Sequence, residues 1–349
     1  MPSEPDDRAE PFCPYFGRCG GCTLQHLGPA AYDAAKRTLV TTPLCAAGLA
    51  APLAPLIAAH GAGRRRATLH ARGKAVGYMA ARSHDVVDIA RCPILVPSLA
   101  TRAPALTRAI AGTLGDCDVA LTASDTGLDV AVRTARRLPP ERLTLLAQRA
   151  GLARLALNGE LVLMTRPPAI RLGKAVVELP VASFLQATAA AEAALAALVR
   201  DAIGSARHVA DLFCGIGPFT LRLAKHARIA AFDADRAAIA ALATALRYTQ
   251  GLKPVTAKAR DLFREPLVPV ELKGFDAVVL DPPRAGAEAQ TRELARSAVK
   301  TVVAVSCEPR TFARDAALLV AGGYRLDKLT PVDQFAWSEH VELVGVFRR

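Results

Sequence analysis

From His208 to the C-terminus, short apolar runs alternate with helical stretches, and this alternation limits the fold more than any other feature of the chain. His208–Cys214, Ile229–Asp233, Pro254–Arg260, Phe275–Asp281 and Thr301–Cys307 read as strands, and Pro218–Ala227, Arg236–Tyr248 and Glu288–Val299 as the helices between them. Strand–helix repeats of this length build a parallel, doubly wound sheet. The last two apolar runs, Tyr324–Asp333 and Val341–Arg348, have no helix between them and are expected to form an antiparallel edge hairpin. Upstream, Phe184–Arg200 is an alanine-rich helical run, and residues 30–175 mix short helices with short strands. Among these are Ala67–Arg72 and Val76–Ala81, joined by a turn at Gly73-Lys74. The expected class is α/β, with residues 1–175 holding a cysteine-rich segment and a smaller mixed α/β domain, and residues 176–349 the doubly wound domain.

A chain of 349 residues, 52% hydrophobic and 22% charged, suits two folded domains and argues against disorder. A net charge of +12 favours a polyanionic partner, nucleic acid first. Met1–Glu10 is acidic and has no apolar core, so it does not read as a secretory signal. The long uncharged stretch from Leu39 to Ala59 is alanine-rich and carries Pro43, Pro52 and Pro55, which argues against a membrane span. The expectation is a cytoplasmic, monomeric protein. In that reducing compartment its eight cysteines are not expected to pair, which turns attention to clustered ones.

The first strand of the repeat ends in Asp211-Leu-Phe213-Cys-Gly215-Ile-Gly217, where two glycines permit a tight turn and close backbone approach to a ligand. Asp211 either meets a ligand amine or orders the turn. Asp233 follows about twenty residues on, at the next strand end, where an acid commonly holds ribose hydroxyls. Thr220 stands where a dinucleotide fingerprint would place its third glycine, and no phosphate-binding Lys-Ser/Thr pair follows. A ligand with a ribose and no pyrophosphate fits better, namely S-adenosylmethionine. Against this stands a plain tight turn without a ligand. Asp281-Pro-Pro-Arg284 closes the fourth strand, its prolines stiffening a loop suited to gripping a planar substrate. Cys214, inside the glycine turn, reads as packing.

Thr301-Val-Val-Ala-Val-Ser306 ends in Cys307 and is followed by Pro309, which can open a helix. The carboxyl ends of parallel strands are where ligands bind, so this thiol is a candidate nucleophile. The competing reading is a small buried hydrophobe. Cys13, Cys19 and Cys22 form a C-x5-C-x2-C array, and Cys92, about seventy residues later, offers a fourth thiol. Four thiolates can hold zinc or an iron–sulfur cluster, and the spacing does not separate the two. Cys45 and Cys117 read as packing.

Asp211-Leu-Phe-Cys-Gly-Ile-Gly217, Asp281-Pro-Pro-Arg-Ala-Gly286, Ser306-Cys-Glu-Pro-Arg-Thr311 and His340-Val-Glu342, in this order, resemble the RNA uracil-5-methyltransferases across essentially the whole chain. The ribosomal-RNA (23S) members with an iron–sulfur cluster are the most similar. The resemblance implies a Rossmann-like methyltransferase domain, Cys307 as nucleophile and Glu342 as the base. It also implies cofactor contacts from Gln186, Phe213, Asp233 and Asp281, with the glycines Gly215 and Gly217 in the turn and Asp261 near the adenine. Gln186 sits in Ser183-Phe-Leu-Gln186, similar to the family's Phe-x-Gln motif. For Cys13, Cys19, Cys22 and Cys92 the resemblance favours a [4Fe–4S] cluster, with zinc as the alternative. That cluster would be structural or RNA-contacting, since methyl transfer to uracil needs no electrons. His340 reads as structural or loop-positioning.

The chain departs from the family pattern in places. Pro218 and Thr188 replace frequent Asn residues, and Asp333-Gln-Phe-Ala-Trp-Ser-Glu-His340 keeps only parts of the usual Asp-Met-Phe-Pro-His-Thr segment. These changes touch specificity and leave every reacting group in place. Many relatives carry an N-terminal β-barrel RNA-binding module; here the cysteine array begins at residue 13, so that module is expected to be absent.

A stacked uracil hides C5 and C6, so the target must be flipped or single-stranded. Arg64, Arg65 and Arg66, then Arg136-Arg137 and Lys74, are candidate backbone contacts, with a solvated basic face as the alternative. Phe335 and Trp337 could stack on RNA or pack at the sheet edge. The expected activity is methylation of uridine C5 in RNA, ribosomal RNA first. The competing readings are a cytosine-5 RNA methyltransferase and a non-catalytic iron–sulfur RNA-binding or assembly protein. Glu342 and the Ser-Cys-x-Pro order weigh against the former, and retention of both Cys307 and Glu342 against the latter.

Overall fold

The apolar runs of the C-terminal half form one sheet, buried on both faces in its centre and partly exposed at the edge strand Val255–Ala259. The computed structural model describes residues 7–50, 52–136 and 141–349. Its eight-stranded sheet runs in the order Ile57–Ala58, Arg325–Asp333, Glu342–Arg348, Thr301–Ser306, Ala277–Leu280, His208–Leu212, Arg228–Asp233, Val255–Ala259. The five strands from Thr301–Ser306 to Val255–Ala259 are parallel, as the strand–helix alternation requires. Arg325–Asp333 and Glu342–Arg348 form the expected antiparallel hairpin. It does not end the sheet, because Ile57–Ala58 pairs in parallel with Val332 and Asp333.

Side chains alternate across this sheet. Val209, Ile229, Val279, Val303 and Val344 pack under the helices Ala189–Ile203 and Arg236–Tyr248. Ala210, Leu212, Phe232, Val278, Val302 and Leu343 pack under Pro309–Ala321, Glu288–Ala295 and the N-terminal helix Pro29–Ala46. The period of two is what two-sided burial of a strand demands. Arg236–Tyr248 has the expected bounds, with Asp235 capping it through Ala237 and Ala238. The run at Phe184 enters its helix only at Ala189, because Thr188 serves as the N-cap, accepting from Ala191 N–H. The stretch after the glycine turn is helical over Thr220–Leu223, shorter than expected.

The smaller domain is a seven-stranded sheet in the order Val86–Asp88, Ala75–Met79, Arg66–Arg72, Cys117–Ser124, Gly127–Arg133, Arg154–Leu157, Glu160–Met164. The helix Arg102–Leu114 covers it with Leu106, Ile110 and Leu114. A separate hairpin, Ala169–Leu172 with Ala175–Glu178, straddles the expected division at residue 175. Its Ile170, Leu172, Ala175 and Val177 belong to the core of the eight-stranded sheet, so packing draws the division upstream of it. Helix Pro29–Ala46 likewise joins that core through Val40 and Leu44 rather than the small domain. No helix among the described residues is long and apolar enough to cross a membrane.

Candidate active site

Parallel strands with similar register end together, and loops leaving those ends enclose a cavity of about 600 Å³. It is lined by Gln186, Phe213, Gly215, Asp233, Asp281, Cys307 and Glu342, with Phe184, Phe263, Arg284 and Phe335 among the other walls. Seven of the sequence-derived site residues thus meet in one place. Gly217 and Asp261 are not in the wall. A Cβ on Gly217 would lie 2.5 Å from Leu242 Cδ1, so that glycine serves helix packing. Asp261 accepts from Phe263 N–H at 3.0 Å, and Leu262 and Phe263 line the cavity in its stead.

The glycine turn is held from beneath. Gly215 N–H donates to Asp233 Oδ2 at 2.7 Å, and Asp235 N–H to Asp233 Oδ1 at 2.8 Å, fixing the carboxylate at the rim. Phe213 takes a left-handed backbone, φ 62°, uncommon for an aromatic residue, and its ring meets Phe263 at 5.4 Å. Those two rings form an apolar wall beside the acid, an arrangement suited to an adenosine. Asp211 has no exposed surface and accepts from Thr220 at 2.5 Å. The Thr220 bond fits the turn-ordering reading, and Oδ1 has no hydrogen-bond partner among the described residues. Burial pushes its carboxyl up to about 7.

Cys307 follows the strand Thr301–Ser306 and precedes Glu308, whose side chain caps the helix Pro309–Ala321. Burial pushes the thiol up to about 11, and the charges of Glu342 and Asp281 add to this while the Arg284 guanidinium opposes it. Glu342 opens its strand opposite Val332 and is 2% exposed. Burial, then Asp281, raise its carboxyl to about 8; Asp281 itself is raised to about 7 by burial and by Asp211. An acid-lined cavity with so little internal cationic charge is suited to a positively charged ligand such as a sulfonium. His340 stands 3.4 Å from an Arg284 nitrogen, its pKa lowered by burial and by Arg284, Arg64 and Lys36. That position fits a loop-positioning role.

Gln334 was not among the sequence-derived site residues. It donates to Glu342 Oε2 at 2.5 Å and to Gln186 Oε1 at 2.7 Å, and Gln186 in turn donates to Asp281 Oδ2 at 3.1 Å. Its only sequence signal was the departure from Met in the Asp-Met-Phe segment.

The basic triplet turns inward. Arg65 donates to Glu192 at 2.5 Å and to the Gln186 carbonyl at 3.1 Å, and is 9% exposed. Arg66 donates to the Leu185 carbonyl at 3.2 Å and lies over the Phe184 ring. Arg64 lies over Phe335. The expectation of a phosphate-facing cluster is corrected for Arg65, whose guanidinium is consumed by the loop carrying Gln186. Lys74 and Arg136 are exposed, and Arg137 lies outside the described residues. Trp337 packs on Phe12, Tyr32 and His60, an internal role, while Phe335 faces the cavity. Cys214 and Cys117 are buried as expected of packing residues, whereas Cys45 is exposed.

Cys13, Cys19, Cys22 and Cys92 line a second cavity of about 120 Å³ between the N-terminal loop and the small sheet. Among the described residues no group of three or more His, Cys, Asp or Glu is gathered closely enough to hold a metal ion. Thiolates are metal-binding donors by their chemistry, and four thiols line this one cavity. All four thiols are free, and burial raises Cys19, Cys22 and Cys92, with neighbouring cysteines adding to each. Arg64 Nε and Nη2, from the same cavity wall, are buried donors without a hydrogen-bond partner among the described residues. An anionic thiolate–metal group would give those donors acceptors.

Comparison with known proteins agrees with this geometry. The tRNA (uracil-5-)-methyltransferase family model matches residues 149–349. Uncharacterized RNA methyltransferases of Brucella suis and Rhizobium meliloti are 45% and 46% identical, each over 98% of this chain and 85% and 86% of their own. A 23S rRNA (uracil(1939)-C(5))-methyltransferase, RlmD, of Chromohalobacter salexigens is 36% identical over 98% of this chain and 77% of its own. The Pyrococcus abyssi tRNA (uracil-54, C5)-methyltransferase, solved with S-adenosyl-L-homocysteine, shares the fold at a TM-score of 0.72 and 21% identity, covering 94% of this chain and 86% of that one. Doubly wound sheet, strand-end cavity and sequence converge: the chain belongs to the tRNA (uracil-5-)-methyltransferase family.

Proposed function

We propose that this S-adenosylmethionine-dependent enzyme methylates C5 of a uridine in ribosomal RNA, with Cys307 as nucleophile and Glu342 as base. The observation that carries the reading is the convergence of Cys307 and Glu342, from two different strands, on the cavity that also holds the glycine turn.

Uracil C5 is too weak a nucleophile to take a methyl group unaided. Cys307 Sγ, as thiolate, adds to C6; the C5–C6 π pair shifts toward the C4 carbonyl, and C5 becomes enolate-like. Phe213, Gly215, Asp233, Gln186 and Asp281 would hold S-adenosylmethionine, whose sulfonium would offer its methyl group to that carbon, a C5–CH3 bond forming as the S–CH3 pair leaves with sulfur as the neutral thioether S-adenosylhomocysteine. Glu342 then takes the C5 proton, the electron pair re-forms the C5–C6 double bond, and the C6–S bond breaks to return the Cys307 thiolate. Arg284 favours the thiolate at both ends of this sequence. Access to the ring requires a flipped or unpaired uridine.

Cys13, Cys19, Cys22 and Cys92 would hold a [4Fe–4S] cluster, zinc being the alternative, in a structural role that ties the N-terminal loop to both domains. Gly20 N–H donates to Met79 O at 3.0 Å in the small sheet, and Thr23 and Leu24 N–H to Trp337 O at 2.7 and 3.0 Å beside the active site.

RNA carrying 5-fluorouracil tests the central step, because fluorine at C5 cannot be removed as a proton. The expected result is a covalent protein–RNA complex on a denaturing gel that disappears in Cys307→Ala. A trapped complex that persists in Cys307→Ala overturns the reading. Mapping 5-methyluridine in RNA from a strain lacking this gene identifies the target, and loss of 5-methylcytidine instead would favour the cytosine reading.

A further inference from the structure

We infer that Gln334 is a positioning residue that holds the Glu342 carboxyl in the orientation required to take the C5 proton, and couples it to the cofactor side of the cavity. The inference rests on the reading of Glu342 as the base.

The amide orientations follow from one fixed donor. Ala187 N–H donates to Gln334 Oε1 at 2.8 Å, and a backbone N–H can only donate, so the Gln334 oxygen must face it. Gln334 Nε2 then points the other way, with one hydrogen for Glu342 Oε2 at 2.5 Å and one for Gln186 Oε1 at 2.7 Å. Because Gln186 accepts through its oxygen, its own nitrogen faces Asp281 Oδ2 at 3.1 Å. Every orientation in the series Ala187–Gln334–Gln186–Asp281 is thereby determined, and Glu342 is the branch that receives the second Gln334 hydrogen. Gln334 is 1% exposed and Gln186 4%, so water does not compete for these bonds.

The consequence for Glu342 is geometric first. A carboxyl at a strand start can rotate about its last bonds; a short donor on Oε2 holds it, leaving Oε1 toward the cavity. The same donor favours the ionised form that a base requires, against the burial that disfavours it. The other charged or titratable groups on the cavity wall with Glu342 are Asp281 and Arg284 at the fourth strand exit, Cys307 at the fifth, Asp233 and Asp235 at the second, and Glu192. Gln334 is the side chain that donates to it. At position 334 the Asp-Met-Phe segment would place a methionine, of similar size and with no donor.

The test uses the full-length protein, undermodified RNA from a strain lacking the gene, and radiolabelled S-adenosylmethionine in single turnovers followed on denaturing gels. Three proteins are compared: wild type, Glu342→Gln and Gln334→Met. Gln334→Met is expected to form the Cys307 adduct at the wild-type rate and to release methylated RNA about tenfold more slowly, the loss of ionised Glu342 that a rise of about one pKa unit would bring. Raising the pH should restore release in Gln334→Met and not in Glu342→Gln. Wild-type release from Gln334→Met, with the adduct still trapped in Glu342→Gln, overturns the role of Gln334 alone. No trapped adduct in Glu342→Gln overturns the base assignment and this inference with it. If Gln334→Met unfolds, Gln334→Asn, shorter by one methylene, withdraws the donor from Glu342 and is expected to show the same separation of the two rates.

Discussion

Lys36 and Asp333 form an ion pair at 2.9 Å with side chains 0% and 1% exposed, joining the first helix to the hairpin that carries Glu342. Lys36 Nζ also donates to the carbonyls of Phe335, at 3.1 Å, and His340, at 2.6 Å, so all three ammonium hydrogens have acceptors. Asp333 Oδ2 accepts from Tyr32 at 2.5 Å and from His60 at 2.8 Å. Burial pushes Asp333 up, but the His60 bond, the Lys36 charge and the Tyr32 bond together hold it below the usual carboxylate value. Lys36→Met strands a buried carboxylate and is expected to cost about 3–5 kcal/mol of unfolding free energy. Adding Asp333→Leu should recover part of that loss. Equilibrium denaturation of the two variants checks this, and a Lys36→Met protein as stable as wild type contradicts it. Because the folded-state pKa of Asp333 is depressed, its stabilisation is present at neutral pH and is lost as pH falls through that depressed value.

The rate of covalent adduct formation should rise with pH. The thiolate is the attacking form, and the Cys307 pKa is raised to about 11, so between pH 7 and 9 each step upward increases the reactive fraction. Arg284 opposes that upward shift, and Arg284→Met should slow adduct formation at pH 8 by about tenfold if it removes one unit of that effect. Rates of 5-fluorouracil–RNA trapping against pH measure both. A flat profile over this range would show that the thiol is already ionised in the complex.

Much of the site was legible because its signals are local. A strand, a glycine turn and an acid at the next strand end follow from spacing alone, and Gly215 and Asp233 do share one wall, whereas Phe213, Gln186 and Glu342 entered through the family resemblance. Cys307 was legible for the same reason, since an apolar run stops beside it. What failed was anything set by distant contacts. Arg64, Arg65 and Arg66 read as an exposed basic run, yet Arg65 meets Glu192, 127 residues away. Gln334 and Gln186 are 148 residues apart, and no local pattern relates them. The pairing of Ile57–Ala58 with Arg325–Asp333 was equally invisible, being two residues long.

The two turn glycines should separate under substitution. Gly217 has φ +88°, a methyl group added to it would meet Leu242 Cδ1 at 2.5 Å, and Leu242 is fully buried. Gly217→Ala therefore combines backbone strain with overpacking and should cost about 2–4 kcal/mol. Gly215 has φ +51° and open space around it, so Gly215→Ala carries strain alone, about 1–2 kcal/mol. Its methyl would instead stand at the cavity wall, weakening S-adenosylmethionine binding more than stability. Calorimetry for affinity and denaturation for stability give the two orders; equal stability losses would refute the assignment of Gly217 to packing.

Loss of the cysteine-held group should loosen the N-terminal loop before the rest of the chain. The loop is fastened by few backbone bonds, such as Gly20 to Met79 and Thr23 and Leu24 to Trp337, and thiolates gathered in one cavity repel one another without a cation between them. Protein prepared without oxygen is expected to contain about four iron and four sulfide per chain, or one zinc if the alternative holds. Cys92→Ser or chelation should remove that metal and open residues near Cys13–Cys22 to protease, while the eight-stranded sheet stays protected. Because Trp337 lies on the segment leading to Glu342, release of methylated RNA should also slow after metal loss. Metal-free wild-type protein with an equally protease-resistant loop would mean that these four thiols bind no structural metal.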